Sequence, residues 1–360
     1  MIIVIIIKVV SPVSHTYSYI RLSEGKIVVK QRKGKKFAGI LVSLISMTLI
    51  ISACGSNKAG DTAAQTSTSP RASSPAASAA APKAAKTMTD GLGNKVTIPA
   101  NPQRIIGSYL EDHLITLGIK PVAQWAVANG IQEYLKDSLN GIPTLPSELP
   151  FEAVTGFNPD LLIIGGTSAV SGEKYAQYSK IAPTFVLGDE INNNWRQALL
   201  KIGEVFDKSK EAQQALNVYD AKAKEAKEKL EKANGSQSAA ALWVTAKAVY
   251  VVSESLSSGA VLYQDIGFKV PNVVKQISST GTANWRAISM EALAQLDADH
   301  IFLIRGKGEG EQLLNDPVWK SIPAVKNGHV YEFDKSHSWL YSGAIANSKI
   351  IDDVLKSVLK

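Results

Sequence analysis

One helix–strand unit occurs twice in this chain, 139 residues apart, and it restricts the fold more than any other feature. Phe151-Glu152-Ala153-Val154, leading to Asp160-Leu161-Leu162-Ile163, aligns without a gap with Met290-Glu291-Ala292-Leu293, leading to Asp299-His300-Ile301-Phe302. The Glu, Ala and Asp are identical and the apolar positions coincide. A unit used twice predicts two similar lobes. A chain of 360 residues is long enough for both. Its 45% hydrophobic and 20% charged content excludes a wholly disordered chain.

Around the repeat, short β-like runs alternate with helical patterns. Strands are expected at Ile105–Gly107, Val122–Trp125, Leu161–Ile164, Thr184–Leu187, Ala240–Val244, Val249–Val252, His300–Ile304 and Val330–Phe333. This alternation predicts an α/β fold with parallel layers. One long helix interrupts it. Ala212, Ala215, Leu216, Tyr219, Ala223, Ala226 and Leu230 form a single apolar stripe, and Lys and Glu occupy the opposite face. Lying between the two strand sets, over residues 206–234, it is expected to connect an N-terminal lobe (88–205) to a C-terminal lobe (235–360). Asn234-Gly235-Ser236 is its expected stop.

The net charge of +7 first suggests a nucleic-acid or membrane partner. All of it resides in residues 1–54, which hold eight Lys/Arg and one Glu; the remainder carries 31 basic and 31 acidic residues. A neutral body argues against a nucleic-acid surface. Five Lys/Arg between Lys30 and Lys36 precede the uncharged run Phe37–Ile51, 15 residues long and short for a membrane span. The run ends at Ile51-Ser52-Ala53-Cys54, which resembles a bacterial lipobox and holds the only cysteine. The expectation is a lipoprotein signal at 30–53 and acylation of Cys54, with no other covalent cofactor. Residues 1–29 read as an extension ahead of the true start, with Val28 or Val29 as an alternative initiator codon. Residues 54–87 form the anchor and its tether: Gly55–Thr87 contains 24 Ala, Ser, Thr or Pro among 33 residues.

A helix that leads into a parallel strand starts near the carboxyl edge of the sheet, where ligands bind in open α/β folds. Glu152 and Glu291 are therefore expected at the cleft rim, one per lobe. At this point the chain resembles the substrate-binding lipoproteins of bacterial ABC importers for ferric siderophores, haem and cobalamin. The resemblance covers roughly residues 90–359. It rests on Asp90-Gly91, Val96-Thr97-Ile98-Pro99, Asn101-Pro102, Arg104-Ile105-Ile106, Pro159–Ile164, Trp195-Arg196 and Ile322–Tyr331 in that order. It implies two Rossmann-like lobes joined by one rigid helix, of the class III type, with the ligand between them. It also implies a monomer on the extracytoplasmic face of the membrane, docking onto a two-fold permease through Glu152 and Glu291.

Loops that follow strands nominate Tyr109, Trp125, Thr167 and Lys247 in the cleft, with Trp285, Arg286, Arg305, Trp339 and Tyr341 opposite. The body holds four arginines: Arg104, Arg196, Arg286 and Arg305. A ferric tris-catecholate of charge about −3 needs several fixed cations, so a hydroxamate or citrate–hydroxamate complex is favoured. Haem or cobalamin is the alternative, with His337 as an axial ligand. A bare zinc or manganese site is disfavoured, because the body has only His113, His300, His329 and His337 and no metal-binding spacing. An enzyme is disfavoured because phosphate loops, nucleophile elbows and two-His zinc motifs are missing. Gly306-Lys307-Gly308-Glu309-Gly310 lacks the Lys-Ser/Thr ending of a phosphate loop.

Overall fold

The computed structural model describes residues 16–23, 26–33 and 84–359, apart from 129 and 282. The chain divides into two units, Met1–Ala77 and Ser78–Lys360. In the first, β1 (Thr16–Ser23) pairs antiparallel with β2 (Lys26–Lys33), Thr16 opposite Lys33. Cys54, the apolar run before it and residues 55–83 of the expected tether lie outside the described residues.

The second unit opens with an antiparallel hairpin, β3 (Lys86–Thr89) and β4 (Lys95–Ile98), starting two residues inside the expected tether. Asp90 Oδ1 closes its turn by accepting from Leu92 N and Asn94 N at 2.9 and 2.8 Å. Gly91 is obligatory here, since a Cβ would lie 2.3 Å from the Leu187 carbonyl oxygen. Then follow β5 (Ile105–Ile106), β6 (Gln124–Val127), β7 (Gly130–Ile131), β8 (Thr144–Pro146), β9 (Leu161–Ile164) and β10 (Thr184–Val186). Strands β10, β9 and β5 form a parallel sheet in that order; β7, β6 and β8 form a second three-stranded sheet, in which β7 is antiparallel to β6. Every residue of β9 is buried, as a strand covered on both faces requires.

The C-terminal lobe holds β11 (Ala239–Val244), β12 (Val249–Val252), β13 (Trp285–Ile288), β14 (His300–Arg305) and β15 (Val330–Phe333) in the order β13-β12-β11-β14-β15. Only β11, β14 and β15 are parallel; β12 and β13 turn the sheet antiparallel at one edge. The segment at Trp285, expected as a polar loop, is thus an edge strand. The two repeats occupy equivalent places. Asp160 accepts from Gln103 N and Arg104 N at 2.7 and 2.9 Å, just ahead of β5. Asp299 accepts from Ser238 N at 2.7 Å, just ahead of β11. Each aspartate ties the start of its own strand to the start of the parallel neighbour.

The connecting helix runs Ser209–Asn234 and ends at Gly235, whose φ of 64° lies in the left-handed region. It buries Ala212, Leu216, Tyr219, Ala223, Ala226 and Leu230; Ala215 is half-buried. The helix Trp195–Val205 packs on it, capped by Asn194 Oδ1, which accepts from Arg196 N and Gln197 N. Arg196 Nη2 bridges Asp220 on the connector (3.0 Å) and Asp265 in the π-helical turn Ala260–Asp265 of the second lobe (2.9 Å). Its guanidinium lies over Trp195 and Tyr219, 4.5 and 5.1 Å from the ring centroids, and Tyr219 Oη donates to Asp265 at 2.7 Å. Arg196→Met leaves the half-buried Asp265 carboxylate without its cation, so a loss of about 1–3 kcal/mol is expected in urea unfolding. Arg196→Met/Asp265→Leu should recover part of it. A loss below about 0.5 kcal/mol in the single variant would show that this bridge contributes little to stability.

Candidate ligand cleft

A cavity of about 430 Å³ opens between the lobes. Tyr109, Trp125, Val127, Gly130, Ile131 and Glu133 line one wall. Trp243, Asn284, Trp285, Lys335, Leu340 and Tyr341 line the rest, Tyr341 packing on the same side as Tyr109 and Trp125. Tyr109 follows β5 and has φ 65°, a left-handed backbone that costs a bulky residue energy. This conformation holds its half-exposed ring edge-on to Trp125 (centroids 5.0 Å) and 6.0 Å from Tyr341. Across the cleft, Trp243 and Trp285 meet edge-to-face at 6.2 Å. Both indole nitrogens are buried without a hydrogen-bond partner among the described residues. The walls therefore offer broad apolar ring faces, with the indole nitrogens turned away from solvent.

Two consecutive acids lie behind the cleft lining. In the helix Glu111–Thr116, Glu111 is fully buried and accepts from Trp125 N at 2.7 Å, fixing the strand that bears this indole. Asp112 accepts from Ile345 N (3.2 Å) and Ala346 N (2.8 Å) at the start of the C-terminal helix Ala344–Val358. It also accepts from Tyr134 Oη at 3.1 Å. Gly343 makes this approach possible: at φ 153°, a Cβ there would fall 2.2 Å from Asp112 Cγ. Tyr341 is thus located from two sides, by the helix start two residues beyond Gly343's neighbour Ser342 and by the Tyr134 ring 5.1 Å away. Burial raises both carboxyls, Glu111 to about 7, and Asp112 to about 6 against the opposing pull of its donors. Burial lowers His113 to about 4.

Of the residues nominated from sequence, the structure brings together Tyr109, Trp125, Trp285 and Tyr341. The others lie elsewhere. Trp339 is fully buried, stacked on Phe302 at 4.9 Å and donating from Nε1 to Asp353 at 3.1 Å. The polar stretch before it folds into the core because Asp353 satisfies the indole. Arg286 follows Trp285 in a strand, where successive side chains point to opposite faces, and it donates to Thr280 Oγ1 at 2.7 Å. Arg305 is held by Glu311 and Glu332, both at 2.8 Å. Thr167 is bound to Asp189, through its backbone N at 2.8 Å and its hydroxyl at 2.5 Å. Lys247 sits in the β11–β12 turn and borders a separate surface hollow. His337, the haem-ligand alternative, pairs with Asp353 at 2.8 Å and does not line the cavity. Among the described residues, no group of three His, Cys, Asp or Glu could hold a metal ion.

Sequence reading missed Trp243, Glu133, Lys335, Glu111 and Asp112. Trp243 had a usable signal, its position near the carboxyl end of a parallel strand. The acids had none, because a Glu-Asp pair at a helix start reads equally well as solvent-exposed.

Two α/β lobes, one long connecting helix and an aromatic cleft between them define a class III solute-binding protein. The chain belongs to the Periplasmic binding protein family, whose model matches residues 110–337. It is similar to the Iron(3+)-hydroxamate-binding protein FhuD of Bacillus subtilis, 28% identical over 83% of this chain and 90% of the relative. The Probable siderophore-binding lipoprotein YfiY of Bacillus subtilis is 27% identical over 91% of this chain and 99% of the relative. Among solved structures, a FhuD fold-family periplasmic binding protein component of a Fep/Fec-like ferrichrome ABC transporter from Bacillus subtilis matches with TM-score 0.65 and 26% identity. That match covers 76% of this chain and all of the other. SirA of Staphylococcus aureus, complexed with staphyloferrin B, shares the fold with TM-score 0.64 and 24% identity, over 76% of this chain and 98% of SirA.

Glu111→Gln keeps an acceptor for Trp125 N and removes the ionisation. The folded-state value of Glu111 lies above its ordinary 4.5, so its stabilising contribution is full in acid and lost as pH rises through about 7. The variant should match the parent below pH about 4.5 and gain on it by roughly 1–3 kcal/mol by pH about 8. Urea melts across that range check this; parallel curves would show that Glu111 ionises without penalty.

Proposed function

We propose that this protein captures a ferric siderophore, with hydroxamate coordination favoured, and delivers it to an ABC permease for iron uptake. The observation that carries this reading is the cleft lining: five aromatic residues, one lysine and no arginine. Lys335 is itself paired with Glu309 at 3.0 Å. None of the four arginines of the body lines the cavity: Arg104 donates to the Asn158 and Phe157 carbonyls, Arg196 and Arg305 pair with acids, and Arg286 donates to Thr280. A complex of high negative charge would lack counter-charges here, whereas three hydroxamates neutralise Fe³⁺ and leave an organic shell suited to aromatic faces. The hydroxamate-binding relative supports the same ligand class.

The reading includes acylation of Cys54, which would hold the protein on the outer face of the cell membrane as a lipid-anchored monomer. It also includes docking of the permease by Glu152 and Glu291. Both are exposed at the starts of the repeated helices, Phe151–Gly156 and Met290–Leu293. The Glu291 carboxyl is held below its ordinary range by hydrogen bonds from its own backbone N–H and from Ser289. An exposed charge on each lobe suits a two-fold basic partner.

Titration of intrinsic fluorescence with a panel of ferric hydroxamates, catecholates and polycarboxylates tests the ligand. Saturable quenching by hydroxamates without turnover is expected, weakened about tenfold or more by Trp285→Ala or Tyr341→Ala. Tight binding restricted to catecholates overturns the class. For docking, Glu152→Ala/Glu291→Ala should cut siderophore uptake in cells while the purified protein keeps its melting temperature and ligand affinity. Normal uptake in the double variant removes the docking role.

A further inference from the structure

Glu133 is the one charged residue of the cleft lining that has no partner among the described residues. It opens the short turn Glu133–Leu135 and is half-buried, and its carboxylate makes no ion pair or side-chain hydrogen bond. Its polar neighbours are committed elsewhere. Tyr134 Oη donates to Asp112, Tyr341 Oη donates to the Ile131 carbonyl at 3.4 Å, and Lys335 pairs with Glu309. With Lys335 neutralised by Glu309, the cleft lining presents a net negative charge, on Glu133, in a lining it shares with Tyr109, Trp125 and Tyr341.

Both features select for the same ligand chemistry. A lone carboxylate repels an anionic complex and attracts a cation, with little competition inside a low-dielectric cleft. Aromatic faces attract ammonium groups through their quadrupoles, more strongly once these are desolvated. A neutral ferric trihydroxamate would exploit the rings and leave Glu133 desolvated and unpaired, a cost without return.

We infer that the preferred ligand is a ferric hydroxamate complex bearing a protonated amine, cationic overall, with the ammonium seated between Glu133 and the neighbouring aromatic rings. Three hydroxamate monoanions balance Fe³⁺, so a single ammonium leaves a charge of about +1, opposite in sign to the cleft. This inference rests on the hydroxamate reading and narrows it.

The test uses one linear ferric trihydroxamate with a free terminal amine and the same complex N-acetylated, titrated by fluorescence quenching into the full chain. The amine form should bind about tenfold more tightly, the ordinary return for a charge-assisted contact. In Glu133→Gln the preference should collapse, the amine form binding about as weakly as the acetylated one. Raising the salt should narrow the parent's preference, since the cleft is partly open to solvent. Equal affinity of the two forms for the parent overturns the ammonium site and leaves the hydroxamate reading standing. A preference that survives Glu133→Gln overturns the role of this carboxylate. Failure of both forms to bind overturns the hydroxamate reading, and this inference with it.

Discussion

Arg196 ties three parts of the molecule at one guanidinium: the last helix of the first lobe, the connecting helix and a turn of the second lobe. Its partners Asp220 and Asp265 lie at 3.0 and 2.9 Å, and the rings of Trp195 and Tyr219 lie beneath it. The bridge links the lobes through side chains where their main sheets share no strand. Removing the arginine would leave the largely shielded Asp265 carboxylate without its cation. Gly203 adds a steric version of the same constraint: a Cβ there would lie 2.8 Å from the Ala212 Cβ, so helix and connector meet without an intervening side chain.

Asp112 makes a second tie, to the start of the C-terminal helix. Free helix N-terminal amides favour an anion, and a buried carboxylate needs donors, so each group satisfies the other. Its neighbour Glu111 holds the backbone of Trp125. Two adjacent acids thereby position two aromatic residues of one cluster in the cleft lining, Trp125 and Tyr341, although these come from distant parts of the chain. The aromatic lining is consequently preorganised by groups that do not themselves line it, the arrangement a rigid binding site requires.

Much of the scaffold was legible because it follows from local periodicity. The apolar stripe of the connecting helix predicts its buried face nearly residue by residue, and Leu161–Ile164, Val249–Val252 and Val330–Phe333 are strands with the expected bounds. The cleft was legible only in part. Tyr109, Trp125, Trp285 and Tyr341 line it, but Trp339 and Arg305, nominated by the same rule, do not. The rule places loops at the cleft side of a sheet; it cannot say whether a given side chain finds a partner inside the protein first. Trp339 found Asp353, and Arg305 found Glu311 and Glu332.

By itself, the sequence determined the α/β class, the two-lobe plan and the long connector, because hydrophobic spacing and a repeated unit are properties of the chain read in order. It also confined the net positive charge to the first 54 residues and left the remainder balanced. The tertiary structure alone decided which charges remain free. Lys335 meets Glu309, Arg196 meets Asp265 and Arg305 meets Glu332 across separations of 26 to 69 residues. Glu133 meets no such partner among the described residues. Pairing of charges is set by distance in space, on which local sequence patterns carry no information, and so the electrostatic character of the cleft emerges only when the chain is folded.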